Sequence, residues 1–488
     1  MTCNFSGLAP YIPTTEKPWN AMRAKHFYRR FGFGGTPDMI KNALTQNPSD
    51  LVDDLIGQAS VLPTTPDPGW GYLDKEEGIQ YVGEDAYWHH LRAQFLHMIF
   101  DDLRKDQIRG RMTMFMHGLF VSRRENNIPY MYQSYLTKQK YAVGNFKDFI
   151  HDMGLDACMI RYLNNYDNKA GKPNENYARE LYELFTLGVD NGYTENDIKE
   201  TARAFTGYNT EKTSWGVIEF NKNDTFDDGE KTIFGQTGNW GYSDVINILF
   251  DQKPTEIATY ICTKLYEYFV SYTKNEDIIA GLAQTFLENN YELAPVLSQL
   301  FKSEHFFDEA CIGVLVKSPL DLVILHDHEV SYQTQDIDGL NSMYSLYPFS
   351  ALYNLEMDLL RPPNVSGWIE HKAWINSVSV SERISRMQNY SRQHNNLTDS
   401  AKTYINFAKD LFDIDENVEV VARGIVDFCL SKEIIYEPEY QEAISVFKEG
   451  VPDNYFNDGI WNLNYPNLSG QVKNLIDYIF TIPEFQLK

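Results

Sequence analysis

The sequence predicts a mainly α fold: a large multi-helix single domain with a small Gly-rich β-hairpin insertion. Two patterns predict it. Apolar residues recur at three- and four-residue steps along most of the chain, the period of an amphipathic helix. Glycine gathers instead with polar and aromatic residues over 207–243, where short strand-like pieces stand at 216–220 and 231–234.

Taken in order, the stripes predict a helix over 37–58 and another over 88–103, where Trp88, Leu91, Phe95, Met98 and Ile99 recur at helical steps. Helices follow over 107–121, 129–141, 145–164, 174–188 and 194–206. Pro254-Thr255-Glu256 opens the next, because proline suits a first turn whose N–H would be unpaired anyway. Ile257, Ile261, Leu265 and Phe269 form its buried stripe. Asn275-Glu276-Asp277 starts another, which runs through Ile278, Leu282 and Phe286 to a turn at Asn289-Asn290. The remaining helices fall over 294–304, 317–330, 351–360, 378–391, 400–412, 416–431, 438–448 and 470–481. The stretches 62–83 and 449–469 read as irregular.

Composition narrows the function classes. With 43 basic and 68 acidic residues among 488, the formal charge is −25. Such a surface argues against wrapping nucleic acid, which needs clustered Lys and Arg. A 43% hydrophobic and 23% charged composition excludes bulk disorder. No apolar run reaches the roughly 18 to 20 residues of a membrane-spanning helix. There is no GxGxxG after a strand, no GxxxxGK[ST] and no GxSxG, so nucleotide-dependent and α/β-hydrolase chemistry lack support. The first residues show no basic segment followed by an apolar run, and FGFGGTPDMI after the twin arginines Arg29-Arg30 is not such a run either. Cys3, Cys158, Cys262, Cys311 and Cys429 form no CxxC pair, which speaks against a thiolate zinc site and points to a reducing cytoplasm. The 14% aromatic content is the unusual feature of the composition.

One helix is specific enough to identify. KPNENYARELYELFTLGV at 172–189 resembles the signature helix of the bacterial DUF1800 family, a domain of unknown function. KETARAFTGY at 199–208, DDGEKTIFGQTG at 227–238, ATYICTKLYEYFV at 258–270, KSPLDLVI at 317–324 and RPPNVSGWIEHKAWINS at 361–377 extend the resemblance in order. WNAMRAKHFYRRFGFGGTP at 19–37 and PEFQ at 483–486 bring it close to both ends of the chain. The resemblance implies a mostly helical fold, a short extension over 1–18 and one continuous domain over 19–488, with no established reaction. It also implies a protein partner of the DUF1501 type, which is sulfatase-like, and through such a partner a route of export for a protein without its own signal. Where the family often has a Trp-His-Asn-His-Phe-like run, this chain has Phe115-Met116-His117-Gly118-Leu119-Phe120 and keeps one histidine.

Several constellations carry possible chemistry. Asn176, Glu180 and Glu183 share one face of the signature helix, and Arg179 stands four residues from both Glu175 and Glu183. That face reads as an ion-pair network between helices, as a carboxylate pair for acid–base work or a divalent metal, or as a solvated surface. No cofactor is expected from these residues alone. His90, His97 and His117 form a metal site only if the fold converges them; His326-Asp327-His328-Glu329 are adjacent and so point in different directions on a helix. Asp227-Asp228-Gly229-Glu230-Lys231 reads as a turn tied by Asp228 and Lys231, or as a cation-holding loop. In 361–377, Arg361, Asn364, Trp368, Trp374 and Asn376 set aromatic faces beside amides and a guanidinium, which suits a sugar or a peptide, or a core plug beneath a loop. The functional expectation is a partner-binding or assembly protein. The alternatives are a hydrolase or other enzyme whose site combines the 176–183 polar face, with Glu180, Glu183 and Arg179, with His117 and the 361–377 loop, and a carbohydrate-binding protein.

Overall fold

In the computed structural model, the described residues are 6–73, 75–83, 87–123, 127–210, 218–220, 225–330, 347–368, 371–394, 400–434 and 436–488. They are mainly helical, the class the periodicity predicts. One apolar core runs through them from Tyr11 to Phe485, and aromatic rings fill much of it. Phe27 and Phe31 stack at 4.6 Å, and Phe301 meets Phe31, Phe269 and Phe306 edge-on at 4.9–5.1 Å. Much of the aromatic excess is therefore packing.

Several helices break where the apolar stripe runs on. The predicted 37–58 helix is two, Pro37–Ala43 and Pro48–Val61. Pro48 cannot donate to a preceding turn, and Asn47 caps the restart by accepting from the Ser49 N–H. The predicted 145–164 helix is likewise Phe146–Gly154 and Ala157–Tyr162, restarted by the Asp156 cap on Met159 N–H. A side chain at Gly154 would run into the hydroxyls of Tyr242 and Tyr177, so only glycine admits this approach. The signature helix is α from Asn176 to Glu180 and then widens to a π turn over Leu181–Thr186, where Thr186 Oγ1 donates to Leu181 O at 2.5 Å. The stretch read as a loop over 62–83 contains a helix, Lys75–Val82. A further helix, Tyr242–Gln252, begins at the end of the glycine-rich stretch.

The two strand-like pieces of 207–243 do not pair with each other. Ile218–Phe220 pairs antiparallel with Tyr208–Thr210, and Lys231–Ile233 with Gln236–Gly238, so two small sheets stand where one hairpin was expected. The second turns on Phe234-Gly235, both at positive φ, which makes the local pairing shorter than any pairing between the two pieces.

The Ala21–Phe31 helix explains the twin arginines. Both lie in its last turn but are buried rather than solvated. Arg29 donates to both Glu329 oxygens at 2.6 and 3.0 Å and to the carbonyls of Phe428 and Cys429. At the other end of the chain, Leu487 bridges to Val316 and Lys488 N–H donates to Leu315 O, so the last residues run beside 315–317. Among the described residues no helix is long and apolar enough to cross a membrane.

Candidate functional site

An open cleft forms where five parts of the chain meet. Arg111, Met114 and Gly118, spaced by three and four residues, present one face of the Gln107–Leu119 helix to it. Glu267 and Tyr268 come from the end of the Pro254–Phe269 helix, with Tyr272 just beyond. Ser318 and Asp321 stand at the start of the Pro319–Glu329 helix, and the 361–377 loop contributes Trp368, His371 and Trp374. Lys488 completes the wall.

The loop is held against the helix by its backbone. Gly367 sits at φ +83°, and a side chain there would come within 2.7 Å of the Gly118 carbonyl. Asn364 is spent on the turn, accepting from Ser366 N–H at 2.9 Å. Trp368 lies 5.5 Å from the His117 ring, and its buried indole Nε1 has no hydrogen-bond partner. His371 adopts φ 51° and stacks on Tyr272 at 4.2 Å and 12°; its buried Nδ1 is also without a partner. Each such group costs roughly 1–3 kcal/mol until something pairs with it. Trp374 is buried, and Asn376 caps the Ser377–His394 helix by accepting from Val378 and Ser379 N–H. Arg361 is exposed and does not line the cleft.

The cleft floor is ionic. Arg111 donates to Asp321 Oδ1 at 2.6 Å, to Gly32 O at 2.8 Å and to Arg29 O at 2.9 Å, with its guanidinium 3.6 Å above the Phe33 ring. Asp321 also caps its helix from Ser318 and binds Lys488 Nζ. Burial alone would raise the Asp321 carboxyl, but Lys488 and Arg111 outweigh it and hold it well below the usual carboxylate range. Burial, then the Arg111 charge, brings the Lys488 amine down to about 7.

The polar face of the signature helix lies elsewhere. Arg179 bridges Glu183 at 3.2 Å, Glu175 at 3.3 Å and Glu195 at 2.8 Å, and so ties this helix to the Glu195–Ala204 helix. Glu180 is partly buried; burial, then the Glu183 charge, raises its carboxyl. Asn176 is exposed at the helix start. None of Asn176, Arg179, Glu180 and Glu183 lines the cleft. His117 lies behind the cleft rather than in it: its Nε2–H donates to Leu359 O at 2.7 Å, and burial, then the Lys138 charge, lowers it to about 4. His97 packs edge-on against Phe349 at 5.1 Å. Asp327 binds Arg104, Glu329 binds Arg29, and His328 bonds Phe33 O, so their run of neighbours serves separate contacts. In the acidic turn, Asp227 rather than Asp228 carries the structure. Asp227 pairs with Arg203 at 2.8 Å, Lys231 caps the Asp227 and Gly229 carbonyls, and Asp228 is exposed. Among the described residues no three His, Cys, Asp or Glu side chains gather as a metal site would require.

With this geometry in view, comparison with known families gives one result: the model of the DUF1800 family, a protein of unknown function, matches residues 26–487. The chain belongs to the DUF1800 family. No curated protein and no solved structure matches it. Within this DUF1800 protein, the 361–377 block stands out in the sequence as a candidate site, and 317–324 only as part of the family resemblance. Arg111, Tyr268, Tyr272, His371 and Lys488 were not singled out. Only the S-x-x-D cap of Ser318 and Asp321 offered a local signal, because the other groups meet across several hundred residues.

Proposed function

We propose that this DUF1800 protein is a saccharide-binding protein and that the cleft beneath the 361–377 loop is its site. One observation carries the reading: Tyr268, Tyr272, Trp368 and Trp374 wall one open cleft, and Trp368 and His371 each carry a buried polar atom without a partner. Sugar rings offer an apolar face for stacking and hydroxyls that donate and accept, which is what such a wall demands. Intrinsic tryptophan fluorescence titrated with an oligosaccharide panel tests it. Saturable quenching that Trp368→Ala removes is the expected outcome, and flat titrations across the panel would refute the reading.

A second reading, assembly with a sulfatase-like DUF1501-type protein, draws on a different surface. Tyr353 and Val378 are 61% and 71% exposed, and residues beside them, Asn354, Trp374 and Ser379, line a neighbouring cleft of about 540 Å³. Co-expression with such a protein should yield a complex that Val378→Asp weakens; separate elution of the two chains would count against it.

A further inference from the structure

Away from the cleft, two helices meet in an arrangement that saccharide binding does not use. Tyr242 opens the Tyr242–Gln252 helix, and its hydroxyl donates to His151 O at 2.8 Å and to Ile150 O at 3.2 Å. It reaches them beside Gly154, where any side chain would collide with it. The contact pins the start of that helix to the end of the Phe146–Gly154 helix and sets Ser243 opposite His151. Ser243 Oγ lies 3.0 Å from His151 Nε2, and His151 Nδ1 lies 3.3 Å from Asp152 Oδ1. Asp152 is fixed through its other oxygen, which accepts from the Tyr141 hydroxyl at 2.6 Å and from Lys140 Nζ at 3.1 Å. Burial alone would raise the Asp152 carboxyl, but Tyr141, then Lys140 and His151, outweigh it and hold it below its ordinary range. An ionised carboxylate only accepts, so the Nδ1 that faces it carries the imidazole proton. Nε2 keeps its lone pair, directed at the Ser243 hydroxyl.

We propose that Ser243, His151 and Asp152 form a hydrolytic site for carboxylic esters, separate from the cleft and independent of its ligand. Serine on one imidazole nitrogen and a carboxylate on the other define such a site by geometry, whatever the fold or the order along the chain. Ser243 is the second residue of its helix, and the N–H groups of Tyr242, Ser243 and Asp244 lie too early for an intrahelical acceptor. Gly241, at the cap, has no side chain to accept from them. Such a helix start stabilises the oxyanion that forms when an acyl group is attacked. Ser243 Oγ bonds to the ester carbonyl carbon while its proton passes to His151 Nε2. Collapse of the intermediate breaks the bond to the leaving oxygen, which takes the proton from Nε2 and departs as the alcohol. Water then attacks the acyl-serine and gives a proton to Nε2. The carboxylic acid leaves, and Ser243 Oγ recovers that proton. Ser243 is exposed, and His151 and Asp152 are about one-third exposed, so the site meets an ester group without enclosing a substrate. An alcohol leaves far more readily than an amine, so esters rather than peptides suit so open a site.

The test uses the full chain with p-nitrophenyl acetate and p-nitrophenyl butyrate as substrates. A biotinylated fluorophosphonate, which captures an activated serine covalently, is the second probe. Both esters should be turned over, and mass spectrometry of the captured protein should place the phosphonate on Ser243. Ser243→Ala removes an exposed hydroxyl and should lower kcat at least about a hundredfold at an unchanged melting temperature. His151→Gln should lower kcat as far and should also end capture, although Ser243 is still present. Asp152 acts through His151 as a positioning residue, so Asp152→Asn should lower kcat while leaving KM unchanged. Capture on a different residue would overturn the proposal, as would ester turnover that Ser243→Ala leaves intact. Absence of both turnover and capture would overturn it as well. Each of these outcomes leaves the saccharide reading to its own fluorescence titrations.

Discussion

His117 shows how one residue changes meaning once its surroundings are known. In the sequence it is the one histidine left of a two-histidine run, which weakens a metal site there and leaves it a candidate only in combination with the signature helix. In the fold its Nε2–H is committed to the Leu359 carbonyl and its ring backs Trp368, so it positions the cleft wall. Burial holds it near 4, below the 6.5 of an unfolded chain. The unfolded state therefore takes up the proton first as pH falls. The stability tied to this neutral histidine is complete above pH 6.5 and is lost as pH drops towards about 4, up to about 3 kcal/mol. His26, His97, His305 and His328 are lowered in the same direction, again chiefly by burial. Urea midpoints should fall steadily between pH 7 and pH 5, and the His117 ring resonances should not titrate above pH 5. A midpoint flat across that range would contradict this assignment.

At the scale of the element, the signature helix separates what a recognisable motif holds together from what it displays. Its apolar face is core: Phe185 stacks on Phe120 at 4.3 Å, and Tyr177 and Leu181 are buried. Its charged face is a partly exposed network centred on Arg179, where each pair is worth little. Phe185→Ala should cost about 3–5 kcal/mol, whereas Arg179→Met should cost less than about 1 kcal/mol, both measured by denaturant unfolding. The helix itself was legible because Pro173 and Gly188 bracket a strong stripe, and Gly188 does take positive φ. Its π turn was not, since that depends on which carbonyl each N–H reaches. The extra breaks at Pro48 and Asp156 were within reach of the sequence as cap and proline signals, but the continuous apolar stripe outweighed them. The hairpin expected in the glycine-rich stretch is present as Lys231–Ile233 with Gln236–Gly238, but the 216–220 piece joins a second two-stranded sheet instead. Two strand-like pieces were visible, but pairing partners depend on the turns between them.

Across the whole molecule, the ionic cluster beneath the cleft joins Arg29, Arg30, Arg111, Asp321, Glu329 and Lys488, and it is the feature least visible along the chain. Arg111→Met would leave the buried Asp321 with Lys488 alone and should destabilise the protein by about 3–5 kcal/mol, lowering the denaturant midpoint. Asp321→Asn, which removes the charge that Arg111 and Lys488 share, should also destabilise; a neutral effect from both variants would show that the cluster is not coupled. By itself the sequence determined the helical class, most helix positions and the family, because periodicity, caps and ordered motifs are local properties. It also marked the 361–377 loop, since prolines, glycine and tryptophans are unusual side by side. Only the tertiary structure decided that this loop closes over a cleft, that the polar face of the signature helix lies away from it, and that Arg111, Asp321 and Lys488 form its floor. Burial and charge pairing are set by residues hundreds of positions apart, and no pattern along the chain records which of them will meet.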